Sequence, residues 1–119
     1  MGVDSSEFKK RTMRFAVLIV QFVGNLPKTT AAQAIAGQLV RSGTSVGSNY
    51  RAACRARSRA EFLAKMGIVE EEADESLYWM ELLIKSGQVE SDKLKQLLQK
   101  ANEILSLTVS SIRTARSRT

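Results

Sequence analysis

Apolar residues recur every three or four positions through most of this chain, the spacing that places side chains on one face of an α-helix. No segment shows the strict alternation of apolar and polar residues that is typical of a half-buried strand. The repeat is most informative from Ala31 to Arg59, where one helix face collects Ile35, Leu39, Val46 and Tyr50. The pattern therefore predicts an all-α protein in which this face points inward.

A first helix is predicted over residues 5–24, capped by Ser5 or Ser6 and followed by Gly24 and the turn at Pro27. Its core face is predicted to consist of Phe8, Phe15, Ile19, Phe22 and Leu26. A second apolar stripe lies on a different side, so the helix is apolar over more of its circumference than a monomer requires. We expect this stripe to contact another subunit, through Met13, Ala16, Val17, Val20 and Val23.

Three further helices are predicted, over residues 30–56, 59–86 and 91–115. Ser58 and Glu61 match the capping box S-x-x-E at the start of the third helix, and Ser91 is the expected cap of the fourth. Four helices of similar length joined by short connections favour an antiparallel up-and-down four-helix bundle. The 119 residues have the length of one domain, residues 1–119, with a single core.

Two glycines, Gly43 and Gly47, lie four residues apart within the second helix. Glycine inside a helix destabilises the helix by roughly 1 kcal/mol relative to alanine. Two glycines on one side of the second helix therefore need a structural reason. The spacing does not match a phosphate-binding loop, because the pair does not follow a strand and no G-K-[ST] is present. We expect another helix backbone to approach closely here.

Charge is unevenly distributed along the chain, whose net charge is +6. Residues 1–59 hold ten Lys or Arg and two acidic residues, residues 60–90 hold two and eight, and residues 91–119 hold six and two. Such segregation indicates either a surface that binds a polyanion or complementary pairing between helices or subunits. The sequence leaves both interpretations open.

Arginine dominates the outward face of the second helix, which carries no acidic residue. The planar guanidinium matches phosphate oxygens, whereas a face meant for solubility mixes in Lys and Glu. The face is therefore consistent with nucleic-acid binding, and equally with a solvated face that partly pairs with the acidic third helix. The candidate phosphate-binding residues are Arg41, Arg51, Arg55, Arg57 and Arg59 of the second helix and the loop that follows it, joined by Lys10 and Arg14 of the first.

The composition argues against catalysis. The chain has no histidine, which removes the commonest general base and the usual partner of carboxylates in di-metal bundles, so no metal, cofactor or enzymatic activity is expected. The single cysteine, Cys54, is expected to be a buried or interfacial small residue. No apolar run approaches the roughly 20 residues that cross a membrane, and no signal peptide of the usual form is present. We expect a cytoplasmic protein.

Residues 38–50, 58–62 and 71–82 resemble the bacterial four-helix-bundle proteins encoded in intervening sequences of 23S ribosomal RNA genes. The markers are a Q-L-x-R-S start, an S-[IV]-x-x-N turn within the second helix, and the acidic E-E-A-D-E-S-L-Y-W motif of the third. After Asn49, where relatives often have I-A-E-G, this chain has Tyr50-Arg51-Ala52-Ala53.

This resemblance implies an up-and-down bundle that assembles as a homo-oligomer, with pentamers among the relatives. It also implies kinship with the accessory protein of diversity-generating retroelements, a basic pentamer that binds nucleic acid and a reverse transcriptase. The first functional hypothesis is therefore a non-catalytic oligomeric bundle that binds RNA or DNA through phosphate contacts. The second is a protein-interaction scaffold or accessory subunit that uses its charge for assembly with a partner protein.

Overall fold

The computed structural model describes residues 4–118, and within them the chain forms four α-helices packed against one another, without a β-strand. The helices are α1 (Ser5–Val23), α2 (Thr30–Cys54), α3 (Arg59–Lys85) and α4 (Lys95–Ser117), with a short 3-10 turn, Ser91–Lys93, before α4. The prediction of an all-helical fold is confirmed. No helix in this part of the chain is long and apolar enough to cross a membrane.

Two of the predicted helix caps are wrong. Asp4, not Ser5 or Ser6, caps α1, and its carboxylate accepts the backbone N–H of Glu7 at 2.8 Å. A carboxylate at this position also interacts favourably with the positive end of the helix dipole. Ser91 begins the 3-10 turn instead of capping α4, which starts four residues later without a side-chain cap.

The predicted capping box at Ser58 is present between α2 and α3, but one of its two hydrogen bonds has a different donor. The hydroxyl of Ser58 accepts the N–H of Glu61 at 3.0 Å, as a capping box requires. The Glu61 carboxylate, however, accepts the N–H of Arg57 at 3.2 Å, one residue before the cap. The other end of α3 is followed by Gly87 at φ +80°, a left-handed conformation that favours glycine.

The core runs along the axis of a bundle that measures 50 × 22 × 21 Å. α2 packs against both α1 and α3, and α4 packs against α3 and more lightly against α1. Helix ends are joined by specific contacts, such as the edge-to-face pair of Phe8 and Tyr50 and the hydrogen bond from Thr29 Oγ1 to Gln88 Oε1 at 3.1 Å. The largest fully buried apolar side chains are Phe15, Ile19, Leu39, Val46, Met66, Val69, Met80, Leu83 and Leu94.

Gly43 and Gly47 of α2 lie against α1, and the predicted close approach of another helix backbone is present at Gly47. A Cβ atom at Gly47 would lie 3.5 Å from the backbone carbonyl carbon of Thr12 and 3.2 Å from its hydroxyl. A Cβ atom at Gly43 would lie 2.3 Å from Cδ1 of the fully buried Ile19. The absence of side chains here therefore allows α1 and α2 to pack closely.

Candidate nucleic-acid interface

Three groups of cations are separated by the fold. Arg41 lies alone at the middle of α2, beside α3. Lys10, Arg14 and Arg51 lie together along α1 and α2. Arg55, Arg57 and Arg59 lie at the junction between α2 and α3, toward one end of the bundle.

Arg41 is bound by two carboxylates of α3. Its Nη1 donates to Glu72 at 3.3 Å, its Nη2 donates to Glu75, and its Nε donates to Gln38 of its own helix at 3.3 Å. The indole Nε1 of Trp79 donates to the same oxygen of Glu75 at 3.0 Å. The outward face of α2, which carries no acid in sequence, is therefore partly neutralised by α3 in the folded protein.

The titration of Glu75 reflects this network. The hydrogen bond from Trp79 holds the pKa of Glu75 below its ordinary value, partial desolvation opposes that shift, and the hydrogen bond and charge of Arg41 add to the lowering. In turn, the hydrogen bond to Glu75 raises the pKa of Arg41. The arrangement stabilises the charged forms of both residues at neutral pH, so Arg41 serves first to join α2 to α3.

A buried hydrogen bond lies directly below this surface network. The hydroxyl of Ser76 on α3 donates to the hydroxyl of Ser42 on α2 at 3.0 Å, and Ser42 contacts the carbonyl of Leu39 at 3.3 Å. Both serines are fully buried. Small polar residues at this crossing allow α2 and α3 to approach closely while every buried polar side-chain atom in residues 4–118 has a partner.

Six arginines gather toward one end of the bundle, a surface we call the arginine end. The guanidinium of Arg59 donates to the carbonyl of Arg118, which places the start of α3 beside the end of α4. All six side chains are exposed, and within the described residues none has a carboxylate within 4.0 Å. The arginine end consists of Arg55, Arg57, Arg59, Arg113, Arg116 and Arg118.

Arg113 and Arg116 of α4, and Arg118 directly after it, were not among the residues predicted from sequence. Their contribution was visible only as the positive charge of residues 91–119 and as cations in the last helical turn. Only the pairing of α4 with α3 brings Arg113 and Arg116 to the same side as Glu70 and close to the start of α3. The sequence offers no direct evidence of that proximity.

The second group of cations lines a shallow groove between α1 and α2, which we call the basic groove. It is bordered by Lys9, Lys10, Arg14 and Arg51 and has Met13 and Val17 at its floor. The predicted apolar stripe of α1 is exposed here, at 52% for Met13, 45% for Val17 and 51% for Val20. Ala16 is half-buried, and Val23 packs partly against the core of its own chain.

Cys54, next to this region, is exposed and therefore not buried within a single chain, and the alternative that it lies in an interface stays a prediction. The neighbouring Tyr50 is buried against Phe8, and this burial raises its pKa, with further contributions from Cys54 and Asp4. Within residues 4–118 no three His, Cys, Asp or Glu side chains are grouped to hold a metal ion.

The fold has a close structural relative. A crystal structure of a protein of unknown function from the S23 ribosomal protein family of Bacteroides thetaiotaomicron VPI-5482 aligns with a TM-score of 0.85. It shares 35% sequence identity and covers 92% of this chain and 97% of that one. Among curated proteins no significant match was found.

The sequence model of one protein family, described as 23S rRNA-intervening sequence protein, matches residues 4–110. The match includes all three segments that carry the resemblance noted from sequence. Because it extends over most of the four helices, the chain belongs to the 23S rRNA-intervening sequence protein family.

Proposed function

We propose that this protein is a small, basic, non-catalytic helical bundle that binds RNA or DNA through phosphate contacts at the arginine end. The observation that carries the proposal is the gathering of six exposed arginines whose guanidinium groups have no carboxylate within 4.0 Å among the described residues. Arginine binds phosphate oxygens in a bidentate manner, and such contacts supply most of the affinity of nonspecific nucleic-acid binding.

The proposed contacts are to phosphates and not to stacked bases. Tyr78 is the exposed aromatic side chain of the described residues, at 56%. It lies 19 residues after Arg59 on α3, which corresponds to about 28 Å along the helix axis at 1.5 Å per residue. A single-stranded site would combine cations with aromatic side chains on which bases stack. We therefore expect binding that depends on charge and salt and shows little sequence preference.

The test is the salt dependence of binding. Fluorescence anisotropy with a labelled duplex should show tight binding at low salt that weakens as salt rises. In Arg55→Gln/Arg57→Gln/Arg59→Gln, the slope of log K against log salt should fall by about 2.7, because each lost duplex phosphate contact removes about 0.9. At 0.1 M salt this corresponds to a loss of affinity on the order of 10²-fold.

Arg41→Gln is the matched control, since it removes an arginine of α2 that is already bound by Glu72 and Glu75. Its salt slope should equal that of the wild type. The proposal fails if the wild-type protein binds no polyanion at low salt, or if Arg41→Gln weakens binding as much as the triple substitution does.

The proposal includes an antiparallel up-and-down arrangement of the helices. Three contacts support it, since each joins the start of one helix to the end of its neighbour in sequence. Phe8 meets Tyr50, the N-terminal cap residue Thr29 meets Gln88 just beyond α3, and Arg59 meets Arg118. Neighbouring helices that run in opposite directions would place their ends in this way.

We also propose that the protein is a homo-oligomer whose interface contains the exposed stripe of α1, with five copies as the number implied by the resemblance. Support comes from Met13, Val17 and Val20, which are about half exposed although apolar. Soluble monomers rarely leave a large contiguous apolar patch exposed, and closed symmetry covers every copy of such a patch.

Val17→Asp/Val20→Asp should therefore give a helical but monomeric protein, because two carboxylates would be buried in the interface without partners. Light scattering after size exclusion measures the mass, and circular dichroism checks the helicity. Tyr78→Asp changes an exposed apolar residue outside the stripe and should keep the mass of the wild type. A double variant with an unchanged mass would place the interface elsewhere.

A second candidate function is a protein-interaction scaffold or accessory subunit, favoured by the separation of acidic and basic surfaces. The variant Arg55→Glu/Arg57→Glu, which leaves the basic groove intact, distinguishes the two. Loss of the oligomer would support a scaffold that uses charge for assembly, whereas an intact oligomer that no longer binds nucleic acid would support the first proposal.

A further inference from the structure

An acidic groove between α3 and α4 is not used by the function proposed above. Three acidic residues border it, and apolar side chains together with a glycine form its floor. The acidic groove consists of Glu70, Glu71 and Asp74 around Gly67, Leu105 and Val109. Leu105 and Val109 of α4 are partly exposed there, so the groove offers an apolar surface beside the negative charges of α3.

The acidic residues of α3 divide into two sets with different partners. Glu72 and Glu75 point toward α2 and are bound by Arg41. Glu70, Glu71 and Asp74 face α4, and within the described residues none has a cation within 4.0 Å. The fold thus neutralises one side of this acidic helix by ion pairs. On the other side Glu70 shares a cleft with Arg113 and Arg116 without forming an ion pair, and no cation among residues 4–118 lines the acidic groove beside Glu71 and Asp74.

The basic groove has the complementary composition. Its four cations, Lys9, Lys10, Arg14 and Arg51, likewise have no carboxylate within 4.0 Å among residues 4–118. They surround apolar side chains, as the acids of the acidic groove do. Opposite charge around two apolar floors is the complementarity that orients one protein surface on another and excludes wrong partners.

We propose that the basic groove of one copy of this chain docks onto the acidic groove of the next copy. This inference rests on the proposed oligomer and names the surface that covers the stripe of α1. The two apolar floors, which include Met13 on one side and Leu105 on the other, pack together at the centre of the contact. The surrounding cations and acids then form ion pairs at its edge.

The two grooves lie on opposite faces of the bundle, because α1 and α3 are both packed against α2 and α4. They also lie at about the same height. Thr12 of α1 is level with Gly47 of α2, and Ser42 of α2 is level with Ser76 of α3. Since Gly47 is five residues beyond Ser42 and Glu71 is five residues before Ser76, the floor of the basic groove is level with Glu71.

The equal height of the two grooves along the bundle axis determines how successive copies stand relative to one another. A contact between two different surfaces generates a ring when the rotation closes and a filament when it does not. With no displacement along the bundle axis, successive copies stand side by side at one level, and a rotation of each copy about that axis relative to the last closes the row into a ring. All arginine ends then lie on the same side of that ring, so one nucleic acid can contact several copies at once.

Charge reversal with rescue tests this contact. Lys9→Glu/Lys10→Glu/Arg14→Glu reverses three of the four cations of the basic groove, and Glu70→Lys/Glu71→Lys/Asp74→Lys reverses all three acids of the acidic groove. Each variant should lose the oligomer in sedimentation velocity at a concentration at which the wild type is assembled. The variant that carries all six substitutions should regain the wild-type mass, because the two grooves again carry opposite charge. Glu81→Lys/Glu90→Lys/Asp92→Lys, which makes the same charge change as the acidic-groove variant but outside the groove, should remain assembled.

A second variant tests the groove without a change of charge. A Cβ atom at Gly67 would meet nothing within 4 Å, so Gly67→Leu fills the floor of the acidic groove without a clash inside the chain. It should remain folded and weaken association at least tenfold. Gly37→Leu, at a second helical glycine with open space around it, is the matched control and should associate as the wild type does.

The inference is overturned if the acidic-groove variant keeps the wild-type mass, or if the sixfold variant does not regain it. If this occurs while Val17→Asp/Val20→Asp is monomeric, the stripe of α1 still forms an interface but meets another surface. A wild-type protein that sediments as a monomer would overturn both the inference and the proposed oligomer. Phosphate binding by the arginine end is measured separately and does not depend on either result.

Discussion

The middle of α2 and its carboxyl end both contain arginine, yet the fold treats the two regions differently. In the middle, Arg41 is bound by Glu72 and Glu75, and the residues on either side of it pack against α1 and α3. Toward the end, Arg55 and the arginines of the following loop are exposed and have no carboxylate partner within the described residues. The role of an arginine here is decided by the helix beside it and not by its own helix.

The difference follows from where α3 carries its acids. Its acidic run lies opposite the middle of α2, and the start of α3, opposite the end of α2, contains Arg59 instead. The middle of α2 therefore joins helices, while its end gathers unneutralised charge together with α4. Changes in the middle should alter stability and leave polyanion binding unaffected, and changes at the end should do the opposite.

Among changes in the middle of α2, Gly43→Leu is expected to reduce the stability of the fold most. The new side chain would overlap Ile19, which is fully buried, so α1 and α2 would have to move apart. Overpacking of this kind costs about 1–3 kcal/mol of the free energy of unfolding, which urea denaturation followed by circular dichroism measures. Gly37→Leu, which meets nothing within 4 Å, should be at least as stable as the wild type. Equal stability of the two variants would contradict the close packing of α1 against α2 at Gly43.

A smaller loss is expected for Ser76→Ala, which removes the buried hydrogen bond to Ser42. The hydroxyl of Ser42 keeps its contact with the Leu39 carbonyl, so only part of its bonding is lost. The free energy of unfolding should fall by about 1 kcal/mol. Ser106→Ala, at an exposed position of α4, is the control and should have little effect. The salt slope of polyanion binding should be unchanged in both variants.

The smallest expected effect is on how the stability of the fold depends on pH. The pKa of Glu75 is lower in the folded protein than in the unfolded chain, so its carboxylate stabilises the fold above the unfolded pKa of about 4.3. This contribution is lost as the pH falls through the folded pKa. Glu75→Gln should therefore be slightly less stable than the wild type at pH 7, and the difference should shrink below about pH 4.

Because Glu75 is largely solvent-exposed, salt should also reduce this difference. Thermal melts at several pH values measure it, with Glu81→Gln, an exposed position on the same helix, as the control. A difference between Glu75→Gln and the wild type that grows toward acidic pH would show that the assigned sign is wrong.

Much of the helical architecture could be predicted, since it follows from local periodicity. The apolar repeat located all four helices, and the cap at Ser58 and the glycines facing α1 were correctly identified. The errors at Ser5, Ser6 and Ser91 arise where several capping residues compete within one turn. Local sequence does not decide that competition, because the choice depends on how the whole helix packs.

The candidate site was predicted less completely. Arg55, Arg57 and Arg59 could be identified because they are adjacent in sequence, whereas Arg113 and Arg116 are more than fifty residues away from them. From the sequence, pairing with α3 could be expected only for the basic face of α2 as a whole and not for Arg41 in particular. Electrostatic pairing depends on distances of a few ångströms between helices, and periodicity alone contains no such distances.

By itself, the sequence determined that the protein is helical, where each helix lies, that α1 carries more apolar surface than one core uses, and to which family the chain is similar. These properties depend on interactions between residues three or four positions apart, which a linear pattern records. Only the tertiary structure decided which charges neutralise one another. It paired Arg41 with Glu72 and Glu75, brought the arginines of α4 toward the end of α2, and left Glu70, Glu71 and Asp74 facing a groove. The reason is that charges from different helices interact through space, and their separation is set by packing.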